Sequence, residues 1–268
     1  MIISCSIDDV HDVILKLSDA FIDVCNKHHL NWFPDGGTLL GAVREHGIIS
    51  WDDDADFAMP RQDYNMLLQL AYDHKIFNEG KILFQTPRTD KNFFHIHARL
   101  RMLGTTAICQ SDFNKDYCKG IFIDIYPIDA ISDDMRERLY EIGFVKTVCK
   151  TEDSTAFDAL NESLTFLSDE NISSKSCAMA VFFRYTPFMM HSFLKSAYAS
   201  YSLQKFNGLK HMMRIPSGYA SILETWYGND WNVPKKGLQS HDALVNAKKD
   251  YHEYDSLTFE ELTDMIYK

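Results

Sequence analysis

A cluster of four aspartates within five residues is the feature that most constrains this chain. The cluster comprises Asp52, Asp53, Asp54 and Asp56. Apolar residues flank and separate its members, namely Trp51, Ala55, Phe57 and Met59. Alternation of acidic and apolar side chains is typical of a half-buried strand, which we expect over residues 52–59. On that strand Asp52, Asp54 and Asp56 share one face, and the acid between the first two points the other way.

The carboxylates of this cluster repel one another unless a cation lies between them. Two carboxylates about 4 Å apart raise the free energy by about 4 kcal/mol at an effective dielectric constant of about 20. A solvated acidic loop is the alternative, but the interleaved apolar residues indicate burial, and buried carboxylates need partners. Oxygen ligands at this density suit Mg²⁺ or Mn²⁺, whereas zinc prefers thiolate or imidazole ligands. We therefore predict that Asp54 and Asp56 bind Mg²⁺ or Mn²⁺.

Another acid, Asp124, lies in the apolar segment GIFIDIYP at residues 120–127. The segment has no Lys or Arg that would pair with a structural carboxylate. We therefore predict Asp124 as the third metal ligand and, with Asp54 and Asp56, as a catalytic residue. The alternative is a buried aspartate that accepts hydrogen bonds from backbone amides at the end of a strand.

A glycine pair precedes the acidic cluster. Gly36 and Gly37 open a predicted short helix that begins near Thr38, and backbone amides at a helix N-terminus form a natural phosphate site. We expect these three residues to contact a phosphate of the substrate, although paired glycines also make simple turns. A glycine turn, an acid-apolar-acid strand and a later strand with one acid are arranged as in enzymes of the nucleotidyltransferase fold.

The rest of the pattern predicts an α+β fold with a mixed sheet flanked by helices. Apolar residues recur at helical spacing over residues 10–25, behind a capping box formed by Ser6 and Asp9. A further helix is expected over residues 64–71. Strands are expected over residues 30–33, 82–85, 94–102, 105–109 and 121–126.

The second half of the chain has a different character. Residues 135–150 predict a helix, residues 151–175 a polar linker, and residues 177–206 an apolar helical stretch interrupted by Pro187. We expect residues 1–132 to form a nucleotidyltransferase-like catalytic core. Residues 133–268 would form a mainly helical portion that completes the site.

Charge and composition exclude several classes of protein. A formal net charge of −11 argues against a nucleic-acid-binding protein, which needs a basic surface. Six cysteines without a C-x-x-C pair favour a reducing compartment, and the sequence shows neither a signal peptide nor an apolar run of membrane-spanning length. We expect a cytoplasmic protein without a transmembrane segment. Aromatic and methionine residues over 182–193 favour a buried core, with peripheral membrane contact as the alternative.

Three segments resemble the core signature of the LicD family, the group that includes fukutin-like proteins. They are WFPDGGTLLGAVR (residues 32–44), GIISWDDDADF (residues 47–57) and PRQDY (residues 60–64). The resemblance continues at GIFIDIYPID (residues 120–129) and, more loosely, at WYGNDW (residues 226–231) and His241. Residues 45 and 46 depart from the family pattern, so His46 inherits no role.

The resemblance implies a metal-dependent phosphotransferase of a nucleotidyltransferase-like fold. Such an enzyme moves phosphocholine or a similar phospho-group from a CDP-linked donor to a hydroxyl of a cell-surface glycan or its precursor, free or lipid-linked, and releases CMP. By position, the acid-x-acid pair is Asp54 and Asp56, and the third carboxylate is Asp124.

Several basic residues are candidates for binding the anionic donor. Arg44 follows the glycine turn, where a phosphate clamp and a salt bridge with Glu45 or Asp53 are equally good interpretations. Arg99 and Arg101 share one face of a predicted strand and form a basic pair, with ordinary surface charge as the alternative. His95 and His97 share that face, and we assign them no role.

Aromatic residues are candidates for enclosing a quaternary ammonium group. Cation–π contact contributes about 0.5–2 kcal/mol per ring. The candidates are Trp51, Tyr126, Tyr227 and Trp231, each with core packing as the alternative. His241 is a candidate for binding the substrate or acting as a base.

Three other functions are compatible with the motifs. The same chemistry with a CDP-polyol or another nucleotide donor is the first. A metal-dependent glycosyltransferase is the second, because its acid-x-acid motif also binds nucleotide sugars, although the glycine turn and Asp124 disfavour it. A catalytically inactive binding protein is the third, and the intact acids at positions 54, 56 and 124 disfavour it.

Overall fold

The computed structural model describes residues 2–3, 5–74, 76–77, 80–93, 95, 97–128, 177–179, 191–234 and 243–267. The first 128 residues contain ten helices and strands in the described ranges. In chain order they are β1 (Ile2–Ile3), α1 (Ile7–Lys27), β2 (Phe33–Pro34), α2 (Gly36–Arg44), β3 (Asp56–Pro60), α3 (Arg61–His74), β4 (Ile82–Gln85), β5 (Ala98–Met102), β6 (Thr106–Cys109) and β7 (Phe122–Ile128).

The later described residues contribute smaller elements. They are β8 (Cys177–Met179), β9 (His191–Phe193), β10 (Tyr201–Lys205), β11 (Met212–Pro216), α4 (Tyr219–Tyr227), β12 (Ala243–Asn246) and α5 (Phe259–Tyr267). The described part therefore mixes helices and strands, as the predicted α+β class requires.

Helix α1 begins at the predicted capping box. The backbone N–H of Asp9 donates to Ser6 Oγ at 3.2 Å, and the Asp9 carboxylate accepts the Ser6 backbone N–H at 3.3 Å. The apolar side of the helix is buried, and Leu17 and Phe21 have no exposed surface. Phe21 packs on Phe57 of β3 with ring centroids 4.8 Å apart. Because side chains alternate along a strand, α1 covers the face of β3 opposite to Asp56.

The central sheet has five strands in the order β2-β3-β7-β5-β4. Strands β3 and β7 are parallel, and the other neighbouring pairs are antiparallel, so the sheet is mixed. Every residue of β7 is buried, which is expected of a central strand covered on both faces. The pairing of β3 with β7 is central to the site because it places Asp56 directly opposite Asp124.

The C-terminal part packs into the same structure as the N-terminal part. Strand β12 lies between β1 and β6 in a three-stranded sheet, and one hydrophobic core extends from Val10 to Val245. Strand β11 contacts β2, and helix α4 contacts α2. The proposed division at residue 132 stays a prediction, as does the mainly helical character of the portion after it.

Helix and strand assignments from the sequence were accurate in most of the first half. The strand over residues 82–85 has the predicted bounds, but the acidic strand begins at Asp56 rather than at Asp52. The helix predicted over residues 177–206 is wrong where the structure describes that stretch, which contains β8, β9 and β10. The reason is tertiary pairing: β10 pairs antiparallel with β11 along all five residues.

Some predictions concern segments that the structure does not describe. The helix over residues 135–150, the linker over residues 151–175 and most of the apolar segment over residues 182–193 lie outside the described residues. Within the described part, no helix has both the length and the apolar character needed to cross a bilayer.

Candidate active site

Charged residues form a row across three neighbouring strands on one face of the sheet. In the strand register, Asp56 of β3 lies opposite Asp124 of β7, and Asp124 lies opposite Arg99 of β5. Residues paired across strands point to the same face. The sheet therefore brings together two predicted catalytic acids and one predicted substrate-binding arginine.

Asp124 is held by a dense set of donors. Arg99 donates from Nε to Oδ1 at 2.5 Å and from Nη2 to Oδ2 at 3.2 Å. Tyr126 donates its hydroxyl to Oδ2 at 3.0 Å, and His97 Nε2 lies 3.1 Å from Oδ1. Burial alone would raise the pKa of Asp124, but the charge of Arg99 and the contacts with His97 hold it well below its usual value. A carboxylate with so low a pKa is a weak proton acceptor.

These contacts correct one premise of the sequence analysis. The segment around Asp124 contains no basic residue, which predicts that a structural carboxylate would lack a partner there, yet Arg99 provides one from the adjacent strand. Both groups are buried, and their geometry is that of a bidentate ion pair. The assignment of Asp124 as a metal ligand stays a prediction, and its partners already give it a structural task.

Asp56 has the opposite electrostatic environment. Burial of its carboxyl raises its pKa well above the usual value, and the neighbouring acids at positions 54, 124, 35 and 52 raise it further. Partly buried carboxylates that repel one another in this way favour the binding of a cation. The pKa directions of Asp56 and Asp124 therefore differ although the two residues are direct neighbours in the sheet.

The other acids converge just before β3. Asp52, Asp53 and Asp54 can each offer a carboxylate oxygen such that all three oxygens lie within 4.8 Å of one another. Residues 52–55 are not in a strand, so the alternation expected over residues 52–59 does not apply, and Asp53 joins its neighbours instead of pointing away. An all-oxygen donor set of this kind fits Mg²⁺ or Mn²⁺. Asp54 belongs both to this converging triad of Asp52, Asp53 and Asp54 and to the ligand set predicted from the sequence.

Gly36 and Gly37 bring the start of α2 directly against the acids. A Cβ atom on Gly37 would lie 2.6 Å from Asp52 Oδ2, and one on Gly36 would lie 2.9 Å from Asp56 Oδ2. Gly36 also has a φ of 47°, in the left-handed region that favours glycine. Close approach of two carboxylates therefore requires glycine at both positions. The predicted phosphate contact is an additional role that stays a prediction.

Thr38 connects helix α2 to strand β3. The backbone N–H of Asp56 donates to Thr38 Oγ1 at 2.8 Å. The backbone N–H of Asp35 in turn donates to the carbonyl of Asp56 at 3.0 Å. These two bonds fix the first turn of α2 relative to Asp56, so Thr38 has a positioning task in addition to the substrate contact predicted for it.

The structure also places three residues at the site that the sequence analysis did not select for it. Asp35 precedes the glycine pair and is 2% exposed, and burial raises its pKa to about 6. Trp226 of α4 donates its indole N–H to Asp35 Oδ1 at 3.1 Å. His97 contacts Asp124. Each of them had a signal in the sequence. Asp35 and Trp226 lie in motifs that carry the resemblance to the family, and His97 precedes β5 by one residue and Arg99 by two, the spacing of side chains on one face of an extended chain.

The two other arginines bind within the protein. Arg101 has no exposed surface and donates to Gln85 Oε1 at 2.6 Å and to the carbonyl of Gly120 at 2.7 Å. Arg44 forms the alternative salt bridge, with its Nη2 2.7 Å from Glu45 Oε1. Substrate binding by either arginine stays a prediction, and each has a structural partner.

The aromatic candidates are distributed rather than gathered into one cage. Tyr126 is buried with its ring centroid 4.4 Å from that of His97, and Trp231 packs on Tyr219 at 6.3 Å. Trp51 is half-buried against the hydrophobic core. Tyr227 is the candidate whose hydroxyl lies at the start of α2. His241 lies outside the described residues.

Comparison with known proteins finds a family model that matches the segment containing these acids. Residues 29–147 match the family model described as LicD/FKTN/FKRP, nucleotidyltransferase domain. A segment of 68 residues, 25% of this chain, is 35% identical to 26% of the lipopolysaccharide cholinephosphotransferase LicD of Haemophilus influenzae. A segment of 48 residues is 40% identical to an uncharacterized protein of Rickettsia prowazekii and covers 18% of each protein.

The aligned segments therefore span about a quarter or less of the relatives' own lengths. The family match covers both acid motifs and the glycine pair that the structure brings together. The resemblance inferred from the sequence is thereby confirmed for residues 29–147, the segment that matches the LicD family model.

Proposed function

We propose that this protein is a metal-dependent phosphotransferase that moves phosphocholine or a similar phospho-group from a CDP-linked donor to a glycan hydroxyl. The observation that carries the proposal is the convergence of acids from two parallel strands and the preceding loop at the N-terminus of α2. All of these acids lie within the segment that matches the LicD family. The match with a lipopolysaccharide cholinephosphotransferase supports phosphocholine as the group and a lipopolysaccharide-type glycan as the acceptor.

The acids of the site fit a hard divalent cation. Asp54 and Asp56 would hold Mg²⁺ or Mn²⁺, with Asp124 as the third predicted ligand. When bound, the cation supplies positive charge that offsets the charge of the donor pyrophosphate. The raised pKa of Asp56 supports this assignment because its causes, besides burial, are the negative charges of the neighbouring acids, which a cation would offset.

The residues around the acids have supporting tasks. Thr38, through its side-chain hydroxyl, and Asp35, through its backbone N–H, fix the first turn of α2 by hydrogen bonds to the backbone of Asp56. Arg99 keeps Asp124 ionised and oriented. The amides at the start of α2 favour a donor phosphate there. Positioning and electrostatic stabilisation are the two terms on which phosphoryl transfer mainly depends.

The overall reaction is a single substitution at phosphorus. The acceptor oxygen forms a bond to the phosphorus that carries the head group, and the bond from that phosphorus to the bridging oxygen of the pyrophosphate breaks. CMP leaves, and the hydroxyl proton is released to solvent. Asp124 is a poor candidate for receiving that proton because its pKa is low.

A panel of donors tests the proposal. The purified protein is incubated with Mg²⁺ and, in separate reactions, with CDP-choline, CDP-ribitol or a UDP-sugar, and the nucleotide products are separated by chromatography. CMP release from CDP-choline is the expected result. CMP from CDP-ribitol alone would change the donor to a polyol, and UDP from the sugar donor would replace the proposal by glycosyl transfer.

A further inference from the structure

Helix α4 reaches the site from outside the segment that matches the family. Its residue Trp226 lies 191 positions after Asp35, yet the indole N–H donates to the Asp35 carboxylate at 3.1 Å. Asp35 is buried and its backbone is bonded to the carbonyl of Asp56. The ring of Trp226 packs on Phe193, with centroids 6.3 Å apart. Trp226 therefore fixes the end of α4 against the strand that carries Asp56.

Tyr227, the residue after Trp226, lies beside the acids of the site. The hydroxyl of Tyr227 lies 3.8 Å from the point where a Cβ of Gly36 would be, and Asp56 Oδ2 lies 2.9 Å from that same point. The phenol and the carboxylate thus border one small region at the start of α2. Tyr227 is half-buried, so part of the side chain is accessible from solvent. A substrate phosphate bound at α2 would meet both groups.

The charge of the site explains why a phenol is useful at this position. Arg99, His97 and Tyr126 direct hydrogen bonds to Asp124, on the β7 side of Asp56. The region on the α2 side is bordered by acids, which repel a phosphate. A tyrosine hydroxyl supplies a hydrogen-bond donor for a phosphate oxygen without adding a charge, whereas an arginine or lysine there would form an ion pair with those acids.

We propose that Tyr227 donates a hydrogen bond to a phosphate oxygen of the nucleotide donor, and that Trp226 is the positioning residue that holds Tyr227 in place through Asp35. This inference rests on the proposed function, since it takes the donor to be a nucleoside diphosphate derivative. It makes helix α4 a contributor to donor binding.

The variants Tyr227→Phe and Trp226→Phe remove one donor group each and keep an aromatic ring. Tyr219→Phe is the matched control, because Tyr219 begins the same helix and packs on Trp231. Three quantities are measured: the Kd for CDP-choline with Mg²⁺ by calorimetry, the KM and kcat for CMP release, and the melting temperature without ligand. We expect Tyr227→Phe to weaken binding about tenfold or more, as loss of a hydrogen bond to a charged group does. Its melting temperature and the Kd of the control should equal those of the wild type.

A double variant distinguishes positioning from general stabilisation. If Trp226 acts through Tyr227, Trp226→Phe combined with Tyr227→Phe should bind CDP-choline no more weakly than Tyr227→Phe alone. Additive losses would overturn the positioning role. An unchanged Kd in Tyr227→Phe, or a melting temperature that falls together with its affinity, would overturn the inference for Tyr227. Failure of the wild type itself to bind CDP-choline would instead overturn the proposed function and this inference with it.

Discussion

Replacing Asp56 or Asp124 by asparagine is expected to change the stability of the metal-free protein in opposite directions, although the two residues are direct neighbours in the sheet. Asp56 is surrounded by acids that raise its pKa, so removing its charge relieves repulsion. Asp124 is paired with Arg99, so removing its charge leaves a buried guanidinium without its partner. The two substitutions have the same chemistry, which makes each the control for the other.

The expected magnitudes follow from the surroundings of each residue. Two carboxylates roughly 5 Å apart interact by about 3 kcal/mol at an effective dielectric constant of about 20, and partial protonation of Asp56 relieves most of that. We expect Asp56→Asn to raise the free energy of unfolding by about 1 kcal/mol. Breaking a buried ion pair by removing one partner costs about 3–5 kcal/mol, and we expect a loss of that order for Asp124→Asn.

Urea unfolding at pH 7 in EDTA measures both effects, provided that the slope of the free energy with urea is the same for all three proteins. Added Mg²⁺ should then stabilise the wild type by mass action and shift Asp56→Asn little, because that variant lacks a ligand. A clear loss of stability in Asp56→Asn, with the Mg²⁺ shift retained, would refute the reasoning. It would show that Asp56 has a positive partner in the folded protein and does not bind the metal.

Three further predictions follow from the same contacts. Burial raises the pKa of Asp35 to about 6, so folding is favoured by its protonation: its contribution is complete below pH 4 and is lost as the pH rises through about 6. In Asp35→Asn, the free energy of unfolding should fall between pH 4 and pH 7.5 by about 3 kcal/mol less than it does in the wild type. The same pH dependence in both proteins would contradict a raised pKa for Asp35. Gly37→Ala places a methyl group 2.6 Å from Asp52 Oδ2, so the affinity for Mn²⁺, measured by electron paramagnetic resonance, should fall about tenfold, and wild-type affinity would show that the carboxylate moves freely. Arg99→Lys keeps the charge but loses the bidentate geometry, so we expect the free energy of unfolding, measured with urea, to fall by about 1–3 kcal/mol. An unchanged free energy of unfolding would contradict this expectation.

Local features of the fold were predictable from the sequence. The capping box of Ser6 and Asp9 depends on residues three positions apart, and the strand Ile82–Gln85 depends on its own composition. The order of a glycine pair, an acid-apolar-acid segment and a later acid in an apolar segment was enough to select Asp54, Asp56 and Asp124 as candidates. The denser motifs over residues 32–64 carried the resemblance to the LicD family.

Features that depend on strand register were not predictable. The pairing of Arg99 with Asp124 requires β5 to lie beside β7 in one particular register, and neither segment contains that information. The contact between Trp226 and Asp35 joins residues from opposite halves of the chain. The predicted start of the acidic strand was wrong because residues 52–54 form a loop in which the three carboxylates converge. In this loop the side chains do not alternate between two faces as they would in a strand.

We propose that the acids beside α2 act with a divalent cation on a CDP-linked donor. The most direct measurement is the rate of CMP release from CDP-choline by the wild type and by Asp54→Asn, each with Mg²⁺, with Zn²⁺ and with EDTA. Asp54 belongs both to the predicted ligand set and to the converging triad, so its replacement tests either arrangement. We expect CMP release by the wild type with Mg²⁺ and loss of that release with EDTA, with Zn²⁺ or in Asp54→Asn. Undiminished release in EDTA after metal removal, or by Asp54→Asn, would contradict it.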